Sequence, residues 1–442
     1  MGQLPPVDAV RIEEMINYFS YKYPEPNGVH PFSVYTELSV CPWNSKHQLL
    51  HIGLKGKNMD KSELPSSNLV FLIDVSGSMG DANKLPLLKS AFPLLVKELR
   101  PEDHIAIVVY SGAAGVVLES TPGNDKEKIL EAIDQLESGG STAGGEGLLL
   151  AYKTAEENFV KGGNNRIILA TDGDFNVGVS SNADMERIIE KEREKGVFIT
   201  VLGFGMGNYK DDKMEIIADK GNGNYAYIDN IQEARKTMVS EFAGTLFTIA
   251  KDVKFQLEFN PARVKAYRLI GYENRLLNAE DFNNDKKDAG EMGAGHTVTA
   301  LYELIPAGSD ENSDSIDPLK YQSNAAPVKV NLNAELLTVK LRYKQPDGFT
   351  SILYESPVKG KVMEFSATSK EFRFSSAVAE FGMLLRDSEF KAGASIEQVI
   401  QIAQGARGTD EEGYRAEFVT IVKTAEALID LKAKNQEEPA SQ

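Results

Sequence analysis

Short apolar runs alternate with amphipathic stretches between residues 66 and 250, and this alternation predicts a parallel sheet with helices on both faces. Runs rich in Val, Ile, Leu, Phe or Tyr are typical of buried strands at 69–74, 104–110, 166–171, 197–204 and 224–228. Helical spacing marks the segments 83–99, 125–137, 144–160, 183–195, 211–220 and 231–250. We therefore expect an α/β fold built on a Rossmann-like, doubly wound parallel sheet. Pro93 predicts a kink or an early end in the first helix.

The two flanks of this α/β segment show a different pattern, in which apolar and polar residues alternate one by one. Such alternation is typical of sheets with one solvated face. It predicts strands at 32–41, 47–55, 252–259, 262–270, 296–305, 336–344 and 349–356. Because strands occur on both sides, we expect the α/β domain to be inserted into a β-sandwich built from both flanks. The alternative is a β domain that follows the α/β domain and consists of residues 251–360 alone.

The remaining segments complete the predicted organisation. Residues 367–434 are helical in pattern, and 307–330 form a polar loop. The predicted domains are residues 1–65 with an N-terminal helix and sandwich strands, 66–250 as the α/β domain, 251–360 as the sandwich domain, 361–434 as a C-terminal helical region and 435–442 as a tail.

Composition excludes several classes of protein. The 442-residue chain has a formal net charge of −17 and a pI of about 5.0, without a basic stripe, so we expect no nucleic-acid partner. Cys41 is the only cysteine, which excludes a disulfide framework and a cysteine zinc site. No apolar run approaches the ~18 residues of a membrane span. We therefore expect no membrane-spanning segment.

Polar oxygen-bearing residues stand where three predicted elements end. Asp74 ends the first strand, and Ser76 and Ser78 follow at alternate positions. Asp172 follows the strand 166–171, and a glycine-rich loop at 139–145 precedes a helix. Parallel strands bring such loops to one edge of a sheet. Carboxylates and hydroxyls are hard ligands that suit Mg²⁺ or Mn²⁺ rather than zinc or copper. For the first three residues alone, a strand-to-helix turn capped by polar side chains is the competing interpretation.

This pattern resembles the metal-ion-dependent adhesion site of von Willebrand factor A (VWA) domains. The resemblance implies one divalent cation, Mg²⁺ or else Mn²⁺ or Ca²⁺, with the ligands Asp74, Ser76, Ser78, Thr142 and Asp172. Thr142 could instead be a helix N-cap. Asp174 is either a second acceptor near the ion or a solvated loop residue. The resemblance also implies a protein partner that supplies an Asp or Glu side chain to the metal.

Further motifs resemble one largely uncharacterised bacterial family of VWA proteins with an extra C-terminal domain. They are Arg11-Ile-Glu-Glu-Met-Ile-Asn-Tyr18, Asn260-Pro-Ala-Arg263, Arg268-Leu-Ile-Gly-Tyr272 and Gly295-His-Thr-Val-Thr-Ala-Leu-Tyr302. The resemblance implies the cell envelope, with a lipoprotein-type export signal in the full-length form, and leaves a cytoplasmic location open. It therefore also implies that membrane association occurs only through a lipid anchor outside this chain. It assigns no role to the C-terminal region.

We therefore expect a cation-dependent protein-binding module, for adhesion or as a scaffold, without catalytic residues. One alternative is an adaptor subunit for an ATPase or an envelope complex. A phosphatase-like hydrolase is disfavoured, because haloacid-dehalogenase phosphatases need a second Asp where this chain has Ser76.

Overall fold

The computed structural model describes residues 3–60, 62, 64–141, 144–173, 175, 182–205, 211–240, 247–272, 279–284, 289–311, 334–346, 348 and 350–437. Two compact units are formed by these residues. The α/β unit comprises Asn58–Ile249 and Glu291–Gly295, and the sandwich unit comprises Met1–Lys57, Ala250–Gly290 and His296–Gln442. The predicted boundaries at 65, 250, 360 and 434 stay predictions.

The described strands are β1 (Phe32–Val40), β2 (Gln48–Gly56), β3 (Ser67–Asp74), β4 (His104–Tyr110), β5 (Ala114–Pro122), β6 (Asn164–Thr171), β7 (Val197–Phe204), β8 (Tyr225–Ile228), β9 (Thr248–Phe259), β10 (Val264–Leu269), β11 (Gly290–Gly293), β12 (Thr297–Pro306), β13 (Leu337–Lys344), β14 (Ile352–Val358) and β15 (Val362–Met363). The described α-helices are α1 (Ile12–Asn17), α2 (Leu85–Glu98), α3 (Lys126–Asp134), α4 (Gly144–Glu157), α5 (Asn182–Glu194), α6 (Asp211–Lys220), α7 (Ile231–Arg235), α8 (Lys370–Leu385), α9 (Ile396–Ala406) and α10 (Tyr414–Glu437).

The α/β unit contains a sheet of order β5-β4-β3-β6-β7-β8. Strands β4, β3, β6, β7 and β8 are parallel, and all eight residues of β3 are buried. On one face, Phe92 of α2 meets Phe71 of β3 with ring centroids 4.8 Å apart. On the other face, Leu148 and Ala151 of α4 belong to the same core cluster as Val70. This layering places the end of β3 at the centre of the sheet edge.

β5 is a strand that the hydrophobic pattern does not predict. It pairs antiparallel with β4 at the edge of the sheet, so the sheet is mixed rather than wholly parallel. Only Leu118 and Thr121 of β5 are buried. A strand that is mostly solvated lacks the continuous apolar run by which its parallel neighbours are recognised.

Two of the predicted helices differ from the structure in part. Helical turns cover Ile231–Arg235 as α7 and Lys236–Ser240 as a π-helical turn, but β9 begins at Thr248, so the last residues of the segment 231–250 form a strand. The early end of α2 at Pro93 is wrong, because α2 continues to Glu98, and the kink stays a prediction. Phe92, Leu95 and Val96 are buried around this proline. Burying such side chains contributes about 1.5–3 kcal/mol each, which offsets the ~3 kcal/mol cost of an interior proline.

The sandwich unit contains a sheet of order β10-β12-β2-β1-β15 and a second sheet with the order β9-β13-β14 in this unit. β2 pairs with β1 on one side and with β12 on the other, so strands from both flanks of the α/β unit share one sheet. The ring of Phe32 on β1 lies 4.9 Å from Tyr343 on β13 and 5.6 Å from Tyr354 on β14. These contacts join the two sheets face to face. The predicted fold class is confirmed.

Helices α1, α8, α9 and α10 share a core with the larger sheet of the sandwich unit. Ile16 of α1, Phe374 of α8 and Val422 of α10 are fully buried in one cluster with Leu301 of β12. Within the described residues, no helix is long and apolar enough to cross a membrane.

Three motifs shared with the bacterial family contact one another in this unit. The Asn17 side chain donates to the Tyr272 hydroxyl at 2.7 Å and accepts from the Thr299 backbone N–H at 2.7 Å. The Tyr272 hydroxyl in turn donates to the Thr299 carbonyl at 2.9 Å. These hydrogen bonds join α1, β12 and the residues that follow β10.

Candidate metal centre

Asp74 ends the central strand β3, and its carboxylate is held by three donors. The Ser76 backbone N–H lies 2.8 Å from Oδ1, and the hydroxyls of Tyr110 and Thr171 lie 3.1 Å and 3.4 Å from Oδ2. Tyr110 ends β4 and Thr171 ends β6, so both neighbours of β3 contribute one donor. The carboxylate therefore has a fixed orientation before any ligand binds.

Ser76 and Ser78 follow in a tight turn. Their hydroxyl oxygens lie 3.1 Å apart, and a single 3₁₀ turn spans Gly77–Gly80. The fully buried side chain of Met79 anchors this turn to the core. Ser76 is buried, whereas Ser78 is exposed. The turn thus presents two adjacent hydroxyl oxygens beside Asp74, with one of them open to solvent.

The glycine-rich loop approaches the same turn through its backbone. The Gly77 N–H donates to the Gly140 carbonyl at 3.1 Å, and the Gly139 N–H donates to the Val75 carbonyl at 2.8 Å. Gly140 has a φ of +81°, and a Cβ there would lie 2.4 Å from the Ser111 hydroxyl, so only glycine fits. Thr142 and Asp174 lie outside the described residues.

Asp172 follows β6 and is connected to the turn by a lysine. The Lys84 ammonium lies 3.1 Å from Asp172 Oδ2 and donates to the Ser78 carbonyl at 2.8 Å. Only 6 % of the Asp172 side chain is exposed. The structure therefore brings Asp74, Ser76, Ser78 and Asp172 to one edge of the sheet.

Burial dominates the electrostatics of this edge. It raises the pKa of the Asp74 carboxyl above its usual range, although hydrogen bonds from Ser76 act in the opposite direction. The charge of Asp172 raises the Asp74 pKa further. Burial lowers the pKa of the Lys84 ammonium, but its hydrogen bonds to Asp172 and Asp81 outweigh this effect and raise the pKa overall. Two carboxylates close together in a partly dry setting favour the binding of a cation.

Tyr110, Thr171 and Lys84 are parts of this site that the sequence does not single out. Tyr110 is the last residue of β4 and pairs with Asp74 in the strand register. The predicted end of the strand 104–110 is therefore a signal in the sequence that identifies Tyr110. Thr171 directly precedes Asp172. Nothing in the sequence pattern marks Lys84, because its contact depends on the path of its loop over the sheet edge.

The donor set suits a hard divalent cation. Among the described residues, no three His, Cys, Asp or Glu side chains are grouped so as to hold a metal ion. Zinc and copper sites built on such groups are therefore not supported here. The candidate ligands are two carboxylates and two hydroxyls, which are oxygen donors of the kind that Mg²⁺ uses together with retained water.

Three family models match this chain. The model described as von Willebrand factor type A domain matches residues 68–240, and one described as von Willebrand factor matches residues 1–51. The model described as uncharacterized protein YfbK, C-terminal, matches residues 244–428. Asp74, Ser76, Ser78 and Asp172 all fall within the VWA match.

Individual proteins show similarity of very different extent. The chain is 47% identical over 438 residues to the uncharacterized protein YfbK of Escherichia coli (strain K12). The aligned region covers 97% of this chain and 75% of that protein. It is 29% identical over 127 residues to the magnesium-chelatase 60 kDa subunit of Rhodobacter capsulatus, covering 28% of this chain and 22% of the subunit. A solved von Willebrand factor type A protein from Catenulispora acidiphila is 15% identical, covers 89% of this chain and 91% of its own, and has a TM-score of 0.46.

Proposed function

The chain belongs to the YfbK family of bacterial VWA-domain proteins, and on that premise we propose that it is a divalent-cation-dependent protein-binding module for adhesion or as a scaffold. Asp74, Ser76, Ser78, Thr142 and Asp172 are the proposed ligands, with Mg²⁺ as the proposed ion and Mn²⁺ or Ca²⁺ as substitutes. A VWA domain supports an interaction role of this kind.

The observation that carries this proposal is the fixed arrangement at the end of β3. Asp74 is oriented by three hydrogen bonds, and two hydroxyl oxygens lie 3.1 Å apart beside it. Because hydroxyls carry no charge and Asp172 shares its charge with Lys84, a bound divalent ion would keep part of its positive charge. When bound, such an ion would attract a carboxylate from outside, and this attraction is several-fold stronger in a partly dry interface than in bulk water. The proposed partner is therefore a protein that offers an exposed Asp or Glu.

A hydrolase is less well supported by the same geometry. Asp74 accepts hydrogen bonds from Ser76, Tyr110 and Thr171. The other carboxylate at this edge, Asp172, is ion-paired with Lys84, so neither carboxylate is placed as a proton donor. We therefore propose no catalytic residue.

An adaptor role is the second candidate, because part of the chain is similar to the magnesium-chelatase 60 kDa subunit, which is a component of an enzyme. An adaptor would use the same metal chemistry and differ in its partner, an ATPase or an envelope complex. We propose the cell envelope as the location, with attachment through a lipid anchor in the full-length form.

Capture of partners from an envelope extract tests the proposal. The immobilised protein should retain a partner in Mg²⁺ and release it in EDTA, and Asp74→Ala should retain none. Asp134→Ala is the matched control, because Asp134 is an exposed carboxylate in the same unit whose only described ion pair, to Lys89, spans 3.9 Å. A partner that stays bound equally well in Mg²⁺, in EDTA and with Asp74→Ala would refute metal-bridged binding.

A further inference from the structure

Lys84 is a cationic group that lies within the described part of the candidate site. Its ammonium contacts Asp172 Oδ2 at 3.1 Å, the Ser78 carbonyl at 2.8 Å and Asp81 Oδ2 at 3.3 Å. Only 13 % of its side chain is exposed. The ammonium therefore shares with the proposed metal one carboxylate and one residue of the serine turn.

The three contacts use the full donor capacity of the ammonium. A lysine has three N–H donors, and three acceptor oxygens surround this one. To bind a carboxylate from a partner protein, Lys84 would have to give up one of these contacts. The ammonium therefore acts as a counter-ion within the site and is not positioned to bind a partner protein.

The position of Lys84 is set by close packing as well as by charge. Its aliphatic chain lies on Gly205, just beyond the end of β7, where a Cβ would lie 2.5 Å from Lys84 Cε and 3.2 Å from Cδ. Gly205 has a φ of +93°, and its carbonyl accepts a hydrogen bond from the Tyr227 hydroxyl. Lys84 is also the N-cap residue directly before α2, and its carbonyl accepts from the Leu88 N–H at 2.9 Å. Both ends of the side chain are thus held.

We propose that Lys84 is a built-in counter-cation that competes with the divalent metal for Asp172 and thereby sets the metal affinity of the site. This inference rests on the proposed function, since it concerns the same ligands. A metal that uses Asp172 must either displace the ammonium or share the carboxylate with it. In both cases the positive charge of Lys84 opposes the charge of the incoming ion.

Loss of this charge should tighten metal binding measurably. A single charge a few ångströms from a divalent ion weakens binding on the order of tenfold even with the dielectric constant of water. Lys84→Met removes the charge and keeps most of the aliphatic volume. Lys84→Gln removes the charge and keeps a hydrogen-bond donor, so the two variants separate the effect of the charge from that of the hydrogen bonds. Lys84→Arg keeps the charge.

Calorimetric titration with Mn²⁺ of the full chain, wild type and variants, tests the proposal. Lys84→Met and Lys84→Gln should bind Mn²⁺ about tenfold more tightly than wild type, and Lys84→Arg should not. Lys89→Met on α2 is the matched control, because the Lys89 ammonium donates to the carbonyls of Asp134 and Leu136 and not to the site. Its Mn²⁺ affinity should equal that of wild type.

Thermal unfolding in EDTA gives a second readout that needs no metal. The melting temperature of Lys84→Met should fall below that of wild type, because the ion pair between Lys84 and Asp172 is lost, and saturating Mn²⁺ should raise it by more than it raises wild type. Unchanged or weaker Mn²⁺ binding by folded Lys84→Met would overturn this inference while leaving the proposed function intact. Absence of Mn²⁺ binding by wild type and every variant would instead overturn the proposed metal site itself, and the inference with it.

Discussion

Glu380 should make the stability of the protein fall as the pH rises, and Glu380→Gln should remove this dependence. Glu380 lies on α8 and is fully buried. Its Oε1 accepts from the Ser395 N–H at 3.2 Å, and Oε2 has no hydrogen-bond partner among the described residues. Burial raises the pKa of this carboxyl from 4.5 to about 7.

The size and sign of the effect follow from that shift. A pKa unit corresponds to ~1.4 kcal/mol, so ionised Glu380 destabilises the fold by about 3 kcal/mol. The folded chain binds the proton more tightly than the unfolded chain, so the free energy of unfolding decreases as the pH rises from about 4.5 to about 7. Below about pH 4.5 Glu380 does not destabilise the fold, and above about pH 7 the full destabilisation of about 3 kcal/mol is present. Glutamine has nearly the same shape and carries no charge at any of these pH values.

Urea denaturation followed by circular dichroism between pH 5 and pH 8 measures this effect. The stability advantage of Glu380→Gln over wild type should grow across the range to about 3 kcal/mol. Glu397→Gln is the matched control, because Glu397 is exposed on the neighbouring helix α9. An advantage that stays constant from pH 5 to pH 8, or that shrinks as the pH rises, would refute the reasoning.

Two further predictions concern the packing that supports the site. Tyr110→Phe removes one of the donors to the buried Asp74 carboxylate. Urea denaturation should show a free energy of unfolding lower by about 1–3 kcal/mol. An unchanged free energy of unfolding would contradict the assigned hydrogen bond. Gly147→Ala should destabilise by about 1–3 kcal/mol, because its Cβ would lie 2.8 Å from Tyr110 Cβ. At Gly405 on α9 an added Cβ would have no atom within 4 Å, so Gly405→Ala should stabilise the protein by up to about 1 kcal/mol. A change in the free energy of unfolding with the same sign in Gly147→Ala and Gly405→Ala would contradict this packing.

Much of the α/β sheet could be predicted from the sequence, because a strand buried on both faces requires a continuous apolar run. The run from Leu69 to Ile73 predicts β3, and the first charge after it correctly marks the strand end at Asp74. The same rule does not find β5, since a solvated edge strand needs few apolar residues. It also cannot distinguish helix from strand after Phe247, where apolar and β-branched residues are compatible with both.

The candidate site was predictable to the extent that its residues stand at strand ends. Asp74 ends β3, Asp172 directly follows β6, and Ser76 and Ser78 lie in the turn just after β3. Lys84 was not predictable in this way, because a lysine in a polar loop is usually solvated, and its contact with Asp172 depends on Gly205, more than a hundred residues further along the chain.

Calorimetric titration of the wild-type chain with Mg²⁺ tests most directly whether hydroxyl and carboxylate oxygens at the end of β3 bind a divalent ion. The predicted result is one site per chain in wild type and in Asp134→Ala, and no binding by Asp74→Ala with an unchanged circular dichroism spectrum. Equal Mg²⁺ affinity in Asp74→Ala and wild type, or no binding by wild type, would contradict it.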